Sequence, residues 1–331
     1  MNRFPDDKKF AFTIFDDTDL STVENVGPMY RLLEELGMRT TKSVWPLASV
    51  EGARFSGSSL QDPAYLEFVS ELQGKGFEIA LHNVRNSATV RKEVAAGLKE
   101  FHRLIGHYPR VHANHSNNRD NIYWGSARFS TLAPLYRAAT VFRRGWLFEG
   151  EDESSKYFWG DLCRRHISYV RNFVFQEINL DRINSSMPYA DPRRPYVNAW
   201  FSSCEGADKE AFCALLSEKN QDRLEAEGGV CIVYTHLACD FVKQGRVDSQ
   251  VVELLQRLAS KKGWFVPVST LLDRMHEWRG TLEITPSEIT VMERRWLADR
   301  LAIAFERKVR RLRGFRAKHR PRLKGTDAPA Y

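Results

Sequence analysis

The sequence predicts an α/β protein in which strands alternate with helices around a parallel sheet or barrel. The apolar and β-branched run Phe10–Phe15 has the composition of a buried strand, and it stops at the carboxylates Asp16 and Asp17. Apolar residues at helical spacing follow, and that segment closes at Gly37. The same succession of strand, polar turn and helix recurs along the chain, which is typical of βα units.

The individual elements follow in order from their patterns. Proline begins one predicted helix, and Ser269 is the predicted cap of the last one. The predicted strands after the first are Arg39–Leu47, Phe77–Leu81, Arg110–Ala113, Gly228–His236 and Gly263–Val268. The predicted helices are Asp19–Gly37, Pro63–Lys75, Thr89–Ile105, Asp248–Lys262 and Thr270–Trp278. The middle of the chain, from about residue 130 to residue 212, is less regular and is assigned only to further strands and an insertion.

Length and composition limit the class of protein. A chain of 331 residues is long enough for one large α/β domain or two small ones, and a barrel would use most of it. The five cysteines are odd in number and form no Cys-x-x-Cys pair, which argues against a disulfide framework and a thiolate zinc cluster. The amino terminus is polar, and no apolar run approaches the ~18 residues of a membrane span, so we expect a cytoplasmic protein.

Positive charge is concentrated near the carboxyl end of the chain. The formal net charge is +7, and basic residues dominate from Arg294 onward. We therefore divide the chain into a barrel domain, residues 1–280, and a basic helical extension, residues 281–331. Such an extension can make peripheral contact with an anionic membrane surface or with phosphates, or it can be a solvated terminal helix. We expect no nucleic-acid partner.

Polar side chains follow several predicted strands at the point where each strand ends. The residues at these ends are Asp16 and Asp17, His82, His112 and His115, and His236. Parallel strands of a barrel or open sheet place their carboxyl ends at one edge, so these side chains are expected to meet. Neighbouring carboxylates oppose each other's ionisation unless a cation is present, and a metal site is therefore predicted. The alternative is an Asp-rich turn that caps the next helix through Asp19 or Ser21.

The order of these motifs resembles that of a known family. Phe-Asp-Asp ends the first strand, His82 follows a Gly-Phe-Glu-Ile strand, and Tyr-Thr-His236 precedes Gly-Trp-Phe-Val-Pro-Val-Ser-Thr-Leu-Leu. The pattern resembles the polysaccharide deacetylase family, the NodB-homology amide hydrolases of carbohydrate esterase family four, over roughly Phe10 to Met275. The resemblance implies a distorted (β/α)7 barrel and a divalent metal ion, usually Zn²⁺.

The resemblance also implies roles for single residues. Asp16 would be the general base, Asp17 a metal ligand, and His236 the general acid that protonates the departing amine. The chemistry is coherent, because a metal lowers the pKa of water and stabilises a developing oxyanion, and a poor amine leaving group needs a proton donor. The implied activity is metal-dependent removal of an N-acetyl or N-formyl group from an amino sugar.

Two motifs of the family are altered in this sequence. Asn86 stands four residues after His82, where the family has a second metal histidine, and asparagine is a weak zinc ligand. The third motif is replaced by the polar segment 112–120. We infer that a histidine of this segment, His115 in preference to His112, completes the metal site.

The expected substrate is an amino sugar carried on a nucleotide or a lipid, on its way into a surface polysaccharide such as O-antigen or lipopolysaccharide. Polar residues beside the proposed ligands can bind its hydroxyl or phosphate groups, and an aromatic ring can stack on the sugar. The predicted substrate-binding residues are Asn83, Arg85, Asn86, Asn118, Arg119 and Trp124.

Other functions remain open at this point. Asp17-Thr18-Asp19 also fits the Asp-x-Asp that holds a metal and a nucleotide diphosphate in many glycosyltransferases. With Ser21 the same segment approaches the nucleophile motif of haloacid-dehalogenase phosphatases. The altered motifs would also suit a catalytically inactive, carbohydrate-binding member of the deacetylase family.

Overall fold

The chain alternates short strands with helices, as the sequence patterns predict. The computed structural model describes residues 3–116, 118–140, 147–280 and 282–318, with side chains of the last helix described as far as residue 305. The strands are β1 (Phe10–Asp16), β2 (Thr41–Val44), β3 (Glu78–Leu81), β4 (Val111–His112), β5 (Tyr169–Phe175), β6 (Tyr189–Ala190), β7 (Ala199–Glu205), β8 (Val230–Thr235), β9 (Val242–Lys243), β10 (Arg246–Val247), β11 (Gly263–Phe265) and β12 (Leu282–Glu283). The helices are α1 (Val23–Glu35), α2 (Pro63–Gly74), α3 (Arg91–Ile105), α4 (Ala133–Thr140), α5 (Gly160–His166), α6 (Lys209–Leu215), α7 (Glu218–Glu227), α8 (Ser249–Ala259), α9 (Val268–Arg279) and α10 (Pro286–Lys318).

Seven of these strands close into a parallel barrel. The hydrogen-bonded order is β1, β2, β3, β4, β5, β7 and β8, and β8 returns to β1 with Ala11 to Asp16 opposite Val230 to Thr235. Every residue of β1 is buried, as expected of a parallel strand with both faces covered. The predicted (β/α)7 barrel is confirmed by this strand pairing. All seven carboxyl ends lie at one end of the barrel, where functional sites of such folds form.

β6, β11 and β12 extend this framework outside the closed ring, whereas β9 and β10 form a separate antiparallel pair. β11 pairs with the first half of β1, and β6 lies antiparallel against β7 and also pairs with β12. β11 is shorter than the predicted strand Gly263–Val268, because α9 already begins at Val268.

The first helix begins later than predicted, with a consequence for the site. Thr22 and Asn25 cap each other: the Thr22 N–H donates to Asn25 Oδ1 at 2.8 Å, and the Asn25 N–H points back to Thr22 Oγ1 at 3.4 Å. Because Thr22 is the cap, Asp19 lies in the β1–α1 loop and does not cap the helix. Its carboxylate is therefore free to serve another purpose.

The first part of the predicted extension packs on the barrel. Trp296 of α10 contacts the rings of Phe129 and Phe173, with centroids 4.9 and 6.4 Å away. Asp299 accepts a hydrogen bond from the backbone N–H of Gln176 at 2.8 Å, just beyond β5. The boundary placed after residue 280 stays a prediction, but α10 up to residue 305 shares an interface with the barrel.

The remainder of the predicted basic tail, residues 319–331 and the side chains after residue 305, lies outside the described residues, as does its predicted membrane contact. Within the described part of the chain, we find no helix with both the length and the apolar character needed to cross a bilayer.

A fully buried ion pair joins β1 and β2 beside α1. Lys42 Nζ is 2.9 Å from Asp16 Oδ2, and neither side chain has exposed surface. The Tyr30 hydroxyl donates to the same Asp16 oxygen at 2.9 Å, and the Leu237 N–H donates to the other at 2.9 Å. Lys42 also contacts Ser21 Oγ at 3.1 Å. Each charged group is thus paired and hydrogen-bonded, which makes its burial tolerable.

We expect Lys42→Met to lower the free energy of unfolding by about 3–5 kcal/mol, because the charge of Asp16 would remain buried without its partner. Chemical denaturation measures this loss. Adding Asp16→Asn should recover part of it, since a neutral amide can still accept from the Leu237 N–H. The matched control is Lys75→Met, which breaks the exposed pair with Glu34 and should cost less than about 1 kcal/mol. Equal losses for the two lysines would contradict the assigned importance of the buried pair.

Candidate functional site

Three imidazoles converge on the carboxylate of Asp19. His82 Nε2 and His236 Nε2 each lie 3.2 Å from Asp19 Oδ2, and His115 Nε2 lies 2.7 Å from Oδ1. Asp19 follows β1, His82 follows β3, His115 lies three residues beyond β4, and His236 follows β8. The carboxyl ends of four barrel strands therefore deliver the group. The three histidines lie together, as their positions after strands predict.

Each of these imidazoles donates a hydrogen bond through its other nitrogen, Nδ1. The acceptors are Ala113 O for His82, Asn118 Oδ1 for His115 and Ala207 O for His236, at 2.9, 2.9 and 2.8 Å. The Asn118 amide is oriented by its own Nδ2, which donates to the carbonyls of Arg85 and Ser87. Because each acceptor is a carbonyl oxygen, each Nδ1 carries the proton, and each Nε2 is left to face Asp19.

This arrangement calls for positive charge between the groups. A neutral imidazole that is protonated on Nδ1 presents a lone pair at Nε2, and that lone pair repels a carboxylate oxygen at 2.7–3.2 Å. Protons on Nε2 or one divalent cation can supply the charge, and fixing Nδ1 in this way is how proteins orient metal-ligating histidines. Ligand atoms of Asp19, His82 and His115 lie within 4.8 Å of one another, and those of Asp17, Asp19 and His236 do as well. Imidazole nitrogen and carboxylate oxygen are ligands that Zn²⁺ accepts, so the residues fit a metal ion.

The charges of the group are strongly coupled. Burial by itself raises the pKa of Asp19, but hydrogen bonds with His115, His236 and His82 outweigh it and hold that pKa far below its usual range. Burial opposes the charge on His236, yet its hydrogen bond to Asp19 outweighs burial and raises the pKa of His236 to about 9. The pKa of His115 is raised in the same way, by Asp19 against the effect of burial. Asp19 thus stays ionised and attracts positive charge.

A second carboxylate, Asp17, lies beside this group and is held by an arginine. Arg171 of β5 donates to Asp17 Oδ1 at 2.9 Å and to Oδ2 at 2.6 Å. Asp17 Oδ2 is 3.8 Å from His82 Nε2. Burial alone would raise the pKa of Asp17, but the charges of Arg171 and His82 and the Arg171 hydrogen bonds outweigh it, so the pKa is lowered. Asp17 was predicted as a metal ligand, and with Asp19 and His236 it forms a group that could hold an ion; the carboxylate that all three imidazoles face is Asp19.

The structure places Asp16 away from the imidazoles, which does not fit its predicted role as general base. Its oxygens are engaged by Lys42, Tyr30 and the Leu237 N–H, and its side chain has no exposed surface. Successive side chains of a strand point to opposite faces, so Asp16 at the end of β1 and Asp17 just beyond it turn in different directions. The ionised carboxylate at the edge of the histidine group is Asp17.

His112 lies outside the group. It is fully buried in β4, its Nε2 is 3.2 Å from Asn114 Oδ1, and its ring meets that of Trp159 edge to face. Burial lowers the pKa of His112 to about 3, which keeps the ring neutral. His115 therefore belongs to the group around Asp19, and His112 does not.

The three predicted substrate-binding asparagines are buried and support the site instead. Asn83 accepts from the His115 N–H at 2.7 Å and donates to Asp120 at 2.8 Å. Asn118 orients the His115 ring, as described above. Asn86 bonds with the Val50 N–H at 2.8 Å and with backbone carbonyls of the 50–55 loop. Their amides are occupied by the protein, so they position loops rather than face a substrate.

Arg85 and Arg119, also predicted to bind substrate, form ion pairs in the described structure. Arg85 lies 3.2 Å from Glu93, and Arg119 lies 2.5 Å from Glu149 and stacks on the ring of Tyr157. Neither belongs to the described lining of the cleft above the histidines.

That cleft has a volume of about 290 Å³ and opens above Asp19 and His82. Of the predicted substrate residues, Trp124 lies in its wall. Further aromatic and cationic wall residues were missed by the sequence analysis; they are Phe55, Arg128, Arg171, Tyr234, Trp296 and Arg300. Arg171 had one signal, a charged residue within the apolar run of β5, whereas Trp296 and Arg300 belong to α10 and carried none.

Comparison with known proteins gives matches to solved structures. No protein-family model matches the chain, and the search of curated proteins gives no match either. The chain is similar to a candidate polysaccharide deacetylase from Mycobacterium smegmatis, with 11% identity, a TM-score of 0.49, and coverage of 85% of this chain and 95% of that one.

Two further solved structures are similar at the same level. One is the Puue allantoinase, at 11% identity and a TM-score of 0.48, with 84% of this chain and 94% of that chain covered. The other is the peptidoglycan deacetylase PdaC from Bacillus subtilis, at 11% identity and a TM-score of 0.40, with 84% and 95% covered. Polysaccharide deacetylases, which the sequence motifs resemble, are thus among the solved structures to which this chain is similar. At such identities the likeness concerns the fold alone.

Proposed function

We propose that this protein is a metal-dependent amide hydrolase that removes an N-acetyl or N-formyl group from an amino sugar. The observation that carries the proposal is the set of three imidazoles whose Nε2 atoms face Asp19, with the ionised carboxylate of Asp17 beside them. Hydrolysis of an inert amide requires metal ligands, a carboxylate that acts as a base, and an acid that faces the substrate, and this set provides all three kinds of group.

Asp19, His82 and His115 would hold the metal ion, which we propose to be Zn²⁺. Their side chains are almost fully buried, whereas that of His236 is 19% exposed, so His236 is the histidine of the group with most access to a substrate. A divalent cation, when bound, supplies Lewis-acid chemistry: it lowers the pKa of water and polarises an amide carbonyl.

The remaining groups move protons. Asp17 accepts the proton of the attacking water through a carboxylate oxygen, and Arg171 keeps that carboxylate oriented and ionised. His236 donates the proton of Nε2 to the amine as the carbon–nitrogen bond breaks, and the Ala207 carbonyl fixes its ring through Nδ1. The base, Asp17, and the acid, His236, are therefore different groups, as needed when one proton leaves the water and another reaches the amine.

The cleft supports a sugar substrate. Trp124, Tyr234 and Trp296 lie in its wall, and aromatic rings of this kind stack on sugar rings. We propose a nucleotide- or lipid-linked amino sugar destined for a surface polysaccharide such as O-antigen or lipopolysaccharide. We place the reaction in the cytoplasm; the five cysteines are free thiols, as in proteins of reducing compartments.

Two earlier alternatives are less well supported. In Asp17-Thr18-Asp19 both carboxylates reach the cleft, as a glycosyltransferase would need, but that chemistry has no use for three imidazoles on one carboxylate. A carbohydrate-binding protein without activity would have no need of the ionised Asp17 and the oriented His236 beside the ligands.

Metal analysis together with an assay of acetate and formate release tests the proposal. We expect the purified chain to bind about one zinc ion and to release acid from nucleotide-linked N-acyl amino sugars. Chelation should abolish release, and added Zn²⁺ should restore it. A protein that binds no metal and releases no acid would be the inactive carbohydrate-binding member. Transfer of the sugar to an acceptor would establish the glycosyltransferase instead.

A further inference from the structure

Arg128 is a buried cation without a carboxylate partner among the described residues. The residue is 8% exposed, and its guanidinium donates to the carbonyl of Asn172. Its Nε is buried and has no hydrogen-bond partner in the described structure. The ring of Trp124 lies 3.8 Å from its Cζ. A buried charge is costly unless an opposite charge compensates it, so this guanidinium favours an anion that the described residues do not provide.

Arg300 of α10 brings a second guanidinium to the same wall. Its NH2 donates to the Val174 carbonyl at 3.0 Å and pairs with Glu205 at 3.0 Å. Its Nε is also buried without a partner among the described residues. The same indole, that of Trp296, lies 5.8 Å from the Cζ of Arg128 and 5.7 Å from the Cζ of Arg300. Two cations from distant parts of the sequence therefore meet at one aromatic ring.

Glu205 pairs with Arg300, but none of the described carboxylates pairs with Arg128. Arg171, the third arginine of the cleft, is already matched by Asp17. Arg300 and Arg171 act on Arg128 as like charges, and burial together with Arg300 lowers the pKa of Arg128 to about 9. Asp19 is engaged by the histidines. An anionic ligand in the cleft would relieve this repulsion.

We propose that Arg128 and Arg300 form a phosphate-binding subsite in the wall of the cleft, which recognises the phosphate of a phosphorylated substrate. Phosphate presents oxygens in several directions and can accept from two guanidiniums at once, which suits arginines that approach from different elements. The inference rests on the proposed function for the identity of the reacting group, but not for the binding of phosphate. A nucleotide-linked sugar and a lipid-linked sugar both carry such a group.

Calorimetric titration of the full chain, with chelator present to exclude binding at a metal, tests the subsite. The probes are inorganic phosphate, UDP and a short-chain isoprenyl phosphate. We expect UDP or the isoprenyl phosphate to bind more tightly than inorganic phosphate, and the tighter of the two identifies the carrier. Arg300→Gln should weaken binding of that tighter probe by about tenfold or more, because a charge-assisted hydrogen bond is lost. Arg128→Gln should act in the same direction.

Two control variants separate recognition from structure and from net charge. Glu205→Gln removes the ion pair of Arg300 but keeps its guanidinium, so binding should be unchanged or stronger. Arg91→Gln removes an arginine that pairs with Asp161 outside the cleft, and binding should be unchanged. Circular dichroism reports whether each variant folds; if Arg128→Gln does not, Arg300→Gln decides.

The inference is overturned if the unaltered protein binds none of the three probes, or if Arg300→Gln binds them as the unaltered protein does. Failure of the proposed function gives a different result. In that case phosphate probes still bind and still depend on Arg300, while no N-acyl sugar releases acetate or formate.

Discussion

Asp19→Asn is expected to remove the divalent ion and, with it, the hydrolytic activity. Asp19 is the carboxylate shared by all three imidazoles, and an amide offers a weak neutral oxygen in its place. Loss of a group that merely orients a ligand reduces metal affinity by about 10–100-fold, so loss of the central ligand should exceed that range. Competition with a chromophoric chelator measures the affinity without any need for turnover.

Two histidine variants complete this experiment. His115→Ala should lose metal affinity like Asp19→Asn, because its Nε2 lies 2.7 Å from the same carboxylate. His112→Gln is the matched control, since His112 lies on the same β4 segment but outside the group, and its metal content should be unchanged. Full zinc binding by folded Asp19→Asn, or its loss in folded His112→Gln, would show that the ligands are assigned incorrectly.

Asp17→Asn is expected to reduce kcat by about 10²–10⁴-fold while the metal content stays the same. The amide keeps the shape of the carboxylate and can still accept a hydrogen bond from Arg171, but it cannot accept a proton from water. Steady-state release of acetate or formate, together with metal analysis of the same sample, gives both quantities.

Asp16→Asn is the informative comparison, because Asp16 was the general base predicted from the sequence. Its carboxylate forms the fully buried pair with Lys42, so the variant should lose thermal stability and retain most of its kcat when folded. The two substitutions should therefore have opposite profiles. If Asp16→Asn lost kcat without losing stability, while Asp17→Asn remained active, the roles proposed for the two acids would have to be exchanged.

The barrel and the histidines were accessible from sequence because their signals are local. A buried strand is an apolar run, and a polar residue directly after it marks the end that carries function. His82 and His236 each follow such a run, and His115 lies in the polar segment after β4. Parallel topology then brings these residues together without any information on distant contacts.

The choice among the acids was not accessible in the same way. Asp16, Asp17 and Asp19 lie within four residues, and which of them faces the histidines depends on the exact end of β1 and on where α1 begins. The mutual cap of Thr22 and Asn25 sets the start of α1 and leaves Asp19 in the loop. A shift of one residue at a strand end exchanges the faces, so pattern alone does not assign these roles.

Long-range pairing accounts for the rest. Arg171 meets Asp17 across 154 positions of sequence, and α10 reaches the cleft from beyond the barrel. The asparagines that looked suited to a sugar are consumed by hydrogen bonds between loops, such as Asn83 with Asp120. Polar composition predicts hydrogen bonding, but only the fold decides whether the partner is a ligand or another loop.

The position of α10 in the sequence determines when the cleft is completed. During synthesis the strands that precede Asp19 and the histidines leave the ribosome before Trp296 and Arg300 do. In a nascent chain Asp19 and the histidines can therefore come together before the wall of the cleft is complete. If the proposed function is correct, substitutions confined to α10 would change which substrates fit the cleft without altering Asp19 or the histidines.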